Sequence, residues 1–259
     1  MFRFAPLLSV VTACVPLPTS ESATAEGEVF MWISADKDTY VSCGSPMQGC
    51  PEQNTSFGSS DQLVAAESEL AIRKSYIHFT PPALPAGAVV LEAYVELFHS
   101  GKNEDGQTDD LLLPVDLAAA AWSPQSLTFA NQPNRELVGS ITHLDLESQA
   151  WSSTPDIAGV AEQWISNPAA NTGVVVYWFS TSQNAEKGFF SNNHSSRTPT
   201  DQGLSPRLLL RVQFAEGTST DDMTLGTLPP DNDLDFNGEV LMVQFVSATD
   251  WPAIWDVAH

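Results

Sequence analysis

Apolar and polar residues alternate at every second position through much of residues 29–214, and this period restricts the fold more than any other feature. The same period recurs in 207–214, whereas 173–181 is apolar on both faces, as expected of a strand covered on both sides. In the segment 88–98, the apolar residues that share one face are Val89, Leu91, Ala93, Val95 and Leu97. The pattern predicts an all-β protein built as an antiparallel β-sandwich (jelly-roll-like).

Segments rich in Pro, Gly and Asn separate the predicted strands at spacings typical of such a sandwich. Short helical insertions are predicted at Leu117–Trp122 and Asp156–Ile165, where apolar residues recur every three or four positions. No repeat of fixed period is evident, which argues against a solenoid or a propeller. At 259 residues the chain is long enough for one such domain with extensions.

The charge balance restricts the partners. The chain has 32 acidic and 10 basic residues, a formal net charge of −22. Such a charge repels nucleic acid and anionic lipid surfaces. We therefore expect no nucleic-acid partner.

The N-terminal region has the pattern of an export signal. In residues 1–13, Arg3 precedes an apolar run of about ten residues, far short of the ~20 that a membrane span needs. The segment Val11–Cys14 is similar to a bacterial lipobox, which would make Cys14 a lipidation site; cleavage after Ala23-Thr24-Ala25, or no processing, are the alternatives. We expect residues 1–25 to be a signal peptide and linker, and the protein to be secreted, extracellular, or lipid-anchored at the cell surface.

The predicted export determines how Cys43 and Cys50, the two remaining cysteines, are interpreted. Cys43 and Cys50 are separated by a segment containing Gly and Pro, which allows the chain to turn back on itself. In an oxidising compartment this pair predicts a disulfide that stabilises a loop of little apolar content. Two free thiols are the alternative, and a zinc site lacks nearby ligands to complete four.

The composition changes after Phe214. Residues 216–259 contain nine acidic residues and no Lys or Arg, which is typical of an acidic linker and disordered tail over 215–259. Within it, Asp233, Asp235 and Asn237 occupy positions 1, 3 and 5 of a segment similar to an EF-hand calcium loop, with Gly at position 6. Position 12 is Gln244 where a bidentate carboxylate is normal, which weakens the prediction of bound Ca²⁺. The stretch Val240–Val246, with two Trp residues following, predicts a small helix packed on the sandwich.

No catalytic motif is recognisable. The nucleophile elbow, the HExxH zinc motif and the phosphate-binding loop are all absent from the sequence, and the histidines have no ligand spacing. The carboxylate pairs Glu67/Glu69 and Asp109/Asp110 could serve a glycosidase only if they faced each other across a cleft. In so acidic a chain they are more typical of surface charge. The sequence therefore predicts a protein that is not an enzyme.

A series of short elements occurs in a specific order through residues 35–214: Asp38-Thr39-Tyr40, Arg73, Tyr76, Phe79, Leu84-Pro85, Gly87, Ala93, Val95, Leu97, Trp122, Thr128, Pro133, Trp164, Asn171, Gly173 and Pro206-Arg207-Leu208. This order resembles the DNRLRE family, also known as carbohydrate-binding module family 96. The Cys43–Cys50 insertion departs from the family pattern, which usually has a short Gly/Asn-rich loop there. The resemblance implies a polysaccharide-binding β-sandwich over 29–214.

The resemblance also implies a ligand class, since the family is known for alginate binding. Residues 29–214 hold 20 acidic and 9 basic residues, which leaves a neutral glycan equally open. Lys74, Tyr76 and His78 share one face of a predicted strand, and with Tyr94 from the following strand they are the candidate carbohydrate-binding residues, because aromatic rings and polar groups recognise sugars. Arg73 and Arg207 are interpreted as structural, holding neighbouring segments by bidentate bonds.

These observations predict a non-catalytic, secreted or surface-anchored polysaccharide-binding protein. Two alternatives stay open: a structural or adhesive cell-surface protein without glycan binding, and an unrecognised polysaccharide-degrading enzyme. Solvent-exposed aromatic residues on one face would favour glycan binding over adhesion.

Overall fold

The protein is described from a computed structural model. The structure describes residues 28–68, 70–103, 112–136, 142–145, 151–177, 186–193, 204–215 and 240–244. In those residues the regular secondary structure is almost entirely β. The strands are β1 Glu28–Gly44, β2 Gln62–Glu67, β3 Ile72–Phe79, β4 Val89–Asn103, β5 Leu112–Ala118, β6 Arg135–Glu136, β7 Thr142–Asp145, β8 Trp151–Ser153, β9 Val174–Val176, β10 Glu186–Phe190, β11 Arg207–Gln213 and β12 Val240–Gln244; the α-helix is α1 Ala158–Ser166.

The strands form a closed antiparallel barrel. Going round the ring, the neighbours are β1, β11, β4, β10, β2, β3 and again β1. Closure depends on two long strands: β1 pairs with β11 through residues 28–34 and with β3 through 35–44, and β4 changes partner from β11 to β10. A bulge between Ala35 and Lys37 lies where β1 changes partner. The predicted all-β antiparallel fold is confirmed, with its layers joined into a barrel.

Further strands extend the barrel. β9 pairs with β3, and β5 pairs with β9, β6 and β7, while β8 lies against β4. β12 pairs with β1 through Val29–Ile33. The prediction of a helix over Val240–Val246 is therefore wrong for residues 240–244, which pair with the edge of β1 as a strand.

The main core lies inside the barrel. Inward residues of the ring strands contribute most of the apolar side chains; β5 and β9 add four more, and α1 adds buried Ala161 and Trp164. The helix confirms the prediction at Asp156–Ile165. The core comprises Val29, Met31, Ile33, Ala35, Leu63, Ala65, Ile77, Phe79, Val90, Ala93, Val95, Leu97, Leu113, Val115, Ala161, Trp164, Val174, Val176, Phe189, Leu208, Leu210, Val212 and Phe214.

A second, smaller core lies outside the barrel, between β3, β9 and the segment 118–136 that crosses them. We call this side the covered face; its buried apolar residues are Val41, Tyr76, Ala118, Trp122, Leu127 and Val175. The predicted helix at Leu117–Trp122 is wrong. The backbone N–H of Ala118 donates to the Gly173 carbonyl and that of Ala119 to the Asn134 carbonyl, so neighbouring segments satisfy these groups instead of a helix.

Cys43 and Cys50 form a disulfide. Between them a short 3-10 helix, Pro46–Gln48, ends at Gly49, which adopts a left-handed conformation with φ 74°. Gly tolerates that φ because it has no Cβ. The loop that departs from the family pattern is thus a compact turn closed by the cysteine pair.

Candidate functional site

Lys74, Tyr76 and His78 lie on the same side of β3, as their spacing predicts, but they are not equally accessible. Tyr76 is fully buried in the covered face. Its ring packs edge-on against Trp122 at 5.7 Å between centroids, and its hydroxyl lies 3.2 Å from both the Gln132 Oε1 and the Pro133 carbonyl. Burial raises the pKa of the Tyr76 phenol above its usual value of 10.0. The Tyr76 ring therefore cannot offer a face to a sugar, and its contacts are those of a structural residue.

Lys74 lies at the edge of the segment that buries Tyr76. Its Nζ donates to Gln132 Oε1 at 3.2 Å and lies 5.6 Å from the centre of the half-buried Phe129 ring. Burial and then the positive charge of Arg135 lower the pKa of Lys74, partly offset by Glu67. Lys74, Phe129, Gln132 and Arg135 together are called the Lys74 surface.

Arg135, on β6, is held from two directions. Its guanidinium stacks on the Tyr177 ring at 3.5 Å from the centroid, and its Nη1 lies 3.3 Å from Oδ2 of Asp116. The Asp116 carboxylate is buried, whereas about a third of the Arg135 side chain is exposed. The guanidinium therefore keeps a fixed position at the surface while it neutralises a buried carboxylate.

His78 is tied to its neighbours through both ring nitrogens. Nδ1 lies 2.6 Å from Oδ1 of Asp36, and Nε2 lies 3.2 Å from the Asn171 carbonyl. For Asp36, burial raises the pKa, but the hydrogen bond and charge of His78 outweigh it, and the net pKa lies below 3.8. His78 thus braces the bulge in β1 where Asp36 lies.

Tyr94 is not brought close to Lys74. It lies on β4 opposite Leu209 of β11, and the ring order separates β4 from β3 by two strands in either direction. Burial, and next the charge of Glu92, raise the pKa of Tyr94. The four residues predicted to bind carbohydrate consequently do not form one site. Tyr76, His78 and Tyr94 all lie outside the Lys74 surface.

Half-buried aromatic residues that the sequence reasoning missed lie on another side of the barrel. Phe98, Trp151 and Phe190 form a chain of contacts, with centroid distances of 5.6 Å and 6.0 Å. We call them the aromatic row. The guanidinium of Arg207 lies 3.7 Å from the centre of the Trp151 ring, and Arg207 Nε donates to buried Glu96 at 2.6 Å, which fixes the ring from beneath.

A cavity of about 290 Å³ opens between α1 and strands β4, β5 and β9; we call it the α1 cavity. It lies on the face of β5 and β9 opposite to the covered face, since Val174 borders it while Val175 belongs to the second core. Its apolar walls come from Val95, Val115, Leu117, Ile157, Val160 and Val174. No sequence motif pointed to it, because each of these residues is also an ordinary core residue.

The residues of the family pattern hold the backbone together. Gly173 has φ 79°, and a Cβ there would lie 2.3 Å from the Ile77 carbonyl oxygen, so only Gly fits. The Asn171 amide donates to the Phe79 carbonyl at 2.7 Å and accepts from the Gly173 N–H. Arg73 pairs with Glu186 of β10, in keeping with its interpretation as structural.

Several predicted sites lie outside the described residues: the calcium-loop residues Asp233, Asp235 and Asn237, and the lipidation site Cys14. Within the described ranges, no three His, Cys, Asp or Glu side chains are grouped so that they could hold a metal ion. None of the helices in the described part of the chain has the length and apolar character needed to cross a membrane.

Antiparallel all-β barrels are an architecture that many ligand-binding proteins share. Residues 29–200 match carbohydrate-binding module family 96, and the chain belongs to that family. The match covers the barrel up to the segment before β11. No curated protein matches the chain.

Proposed function

We propose that this protein is a non-catalytic module that binds an acidic polysaccharide of the alginate type through the Lys74 surface. The observation that carries the proposal is the placement of Lys74 over the Phe129 ring and near Arg135, whose positive charge disfavours the protonated form of Lys74. In a chain of net charge −22, such a pair provides a local attraction for carboxylates. A bound uronate would pair with Lys74 and with the exposed part of the Arg135 guanidinium, and the Phe129 ring beside Lys74 offers an apolar surface to the sugar.

We further propose that the protein acts outside the cytosol, exported by residues 1–25 and anchored through Cys14 or released after Ala25. The Cys43–Cys50 disulfide supports this location, because such bonds persist in oxidising compartments. Bound Ca²⁺ at Asp233, Asp235 and Asn237 stays a prediction, which a comparison of Ca²⁺ with chelator would test.

Affinity electrophoresis in gels containing alginate tests the proposal. Lys74→Met should abolish most of the retardation, whereas Lys37→Met is the matched control. Lys37 carries the same charge and also lies over a ring, 4.9 Å from the centre of Trp122, but outside the Lys74 surface. Arg135 is a poor choice for substitution, because its loss would leave the buried carboxylate of Asp116 unpaired.

Equal loss of retardation in both variants would indicate nonspecific charge attraction, and no retardation of the wild type would contradict alginate binding. Incubation with alginate, followed by an assay for new reducing ends, tests the absence of catalysis. No binding to any glycan would favour the structural or adhesive alternative.

A neutral glycan is the second candidate, favoured by the aromatic row. Three half-buried rings in contact, one of them fixed by Arg207, suit stacking against the apolar faces of sugar rings. Gels containing laminarin or mannan, with Trp151→Ala as the variant, test it. Retardation that is lost in Trp151→Ala and kept in Lys74→Met would transfer the binding site to the aromatic row.

A further inference from the structure

The α1 cavity is a second site of a different character from the Lys74 surface. Its floor is formed by buried residues, among them Val95, Thr154 and Val174, and its mouth by exposed Gly159 and Gln163. At about 290 Å³ it is close to the lower limit of small-molecule sites, roughly 300 Å³. It therefore has room for a small molecule and no room for a polymer segment of several sugars.

Gly159 keeps the mouth open. It lies in the first turn of α1, where Gly is less favourable than Ala because it loses more backbone entropy on folding. A Cβ built at this position meets no atom within 4 Å, so neither packing nor φ requires Gly here. The missing side chain instead leaves space at the entrance of the cavity.

Polar groups line the cavity at two depths. The Thr154 hydroxyl accepts a hydrogen bond from the Val95 N–H at 3.0 Å, and its own O–H remains able to donate. Near the mouth, Oδ1 of Asp156 accepts from the N–H groups of Ala93 and Ala158, both at 2.9 Å, which fixes the carboxylate and leaves Oδ2 as an acceptor. The site combines apolar walls with a buried hydroxyl and the fixed carboxylate of Asp156; Asp116, whose carboxylate pairs with Arg135, also borders it.

We propose that the α1 cavity binds one neutral pyranose ring, such as the end or a side branch of a glycan chain. The C–H face of the ring would lie against Val160 and Leu117, and its hydroxyls would bind Thr154, Asp156 and Gln163. The Asp156 carboxylate repels a uronate, so the α1 cavity and the Lys74 surface select different sugars. The carbohydrate class of the ligand rests on the family and on the proposed function; the location and the neutrality rest on the cavity itself.

The test is a titration of the isotope-labelled protein with methyl β-glucopyranoside, methyl α-mannopyranoside and methyl β-galactopyranoside, followed by amide NMR shifts. Saturable shifts at Val95, Thr154 and Val160 are expected with at least one of them. Glucuronate should produce none at these residues. Affinity for a single ring should be in the millimolar range, as is usual for so few contacts.

Two substitutions at one position provide the variant and its control. Gly159→Trp places a bulky ring in the open mouth and should weaken binding about tenfold or more, while Gly159→Ala adds only a methyl group and should keep it. Absence of saturable shifts with all three glycosides, or unchanged binding in a folded Gly159→Trp protein, would overturn the proposal. Alginate retardation in the same variants separates the two proposals, since it should be unaffected by either change at Gly159.

Discussion

The two faces of the layer formed by β5 and β9 are built differently. On the covered face, Tyr76 and Trp122 are buried against each other; the Tyr76 hydroxyl donates to Gln132 of the crossing segment, and Trp122 Nε1–H donates to the Thr172 carbonyl. On the opposite face, the α1 cavity is left partly empty between Val174 and the helix. The family-pattern residues Tyr76 and Trp122 fill the covered face, whereas of the residues that line the cavity Val95 alone belongs to the pattern. The comparison teaches that the family-pattern residues on the covered face serve packing, whereas the cavity is lined mostly by residues outside the pattern.

The largest effect should come from Trp122→Ala on the covered face. The substitution removes a buried ring and the donor to the Thr172 carbonyl, bonded at 2.9 Å. We expect the free energy of unfolding to fall by about 3–5 kcal/mol, measured by urea denaturation. Trp151→Ala, in the half-buried aromatic row, should cost less than half as much. Equal losses of unfolding free energy in the two variants would contradict the interpretation of the covered face as a second core.

The next effect compares one substitution at two glycines. Gly173→Ala forces a side chain into φ 79° and against the Ile77 carbonyl, and should destabilise the protein by about 2–4 kcal/mol. Gly159→Ala should instead stabilise it by about 0.5–1 kcal/mol, because Ala is the better helix former and meets no neighbour. Urea denaturation measures the change in unfolding free energy of each variant. A loss of stability in Gly159→Ala would contradict the open space at this position.

Much of the fold could be predicted from the sequence, because the alternating strands bury one side and the order of short elements is specific. The helix at Asp156–Ile165 was predicted from its period, whereas the one at Leu117–Trp122 failed because pairing with Gly173 and Asn134 outweighed a weak local pattern. β12 was not predicted for a similar reason: its residues pair with the edge of β1, and this pairing favours an extended backbone.

The candidate sites were harder to predict. The predicted shared side of β3 is correct for Lys74, Tyr76 and His78. The sequence does not show, however, that residues 118–136 cover Tyr76 and leave the end of the Lys74 side chain uncovered. Arg135, whose charge acts on Lys74, is 61 positions away along the chain, and its proximity depends on the path of the crossing segment. A cavity is unfilled space between packed elements, such as the space beside Gly159. The period of apolar residues in a sequence does not indicate where such space remains.

A smaller effect tests whether Tyr76 serves structure alone. Tyr76→Phe keeps the ring and removes the hydroxyl that contacts Gln132 and Pro133, and should cost about 1 kcal/mol of unfolding free energy. Tyr94→Phe, on the opposite side of the barrel, should change stability by less than about 0.5 kcal/mol. Retardation on alginate should persist in both. Loss of retardation in a Tyr76→Phe variant of normal stability would indicate that the Tyr76 hydroxyl takes part in binding.

The smallest effect is a dependence of alginate binding on alkaline pH. Burial and Arg135 lower the pKa of Lys74 in the free protein below its ordinary 10.5, and a bound carboxylate would raise it again. The sign follows: affinity is full while Lys74 is protonated in both states, and it falls as the pH rises through the lowered pKa of the free protein. The alginate carboxylates keep their charges over this range. Retardation should therefore weaken at alkaline pH in wild type and in Lys37→Met, and not change in Lys74→Met; a parallel decline in all three would assign the titration to another group and separate Lys74 from the ligand.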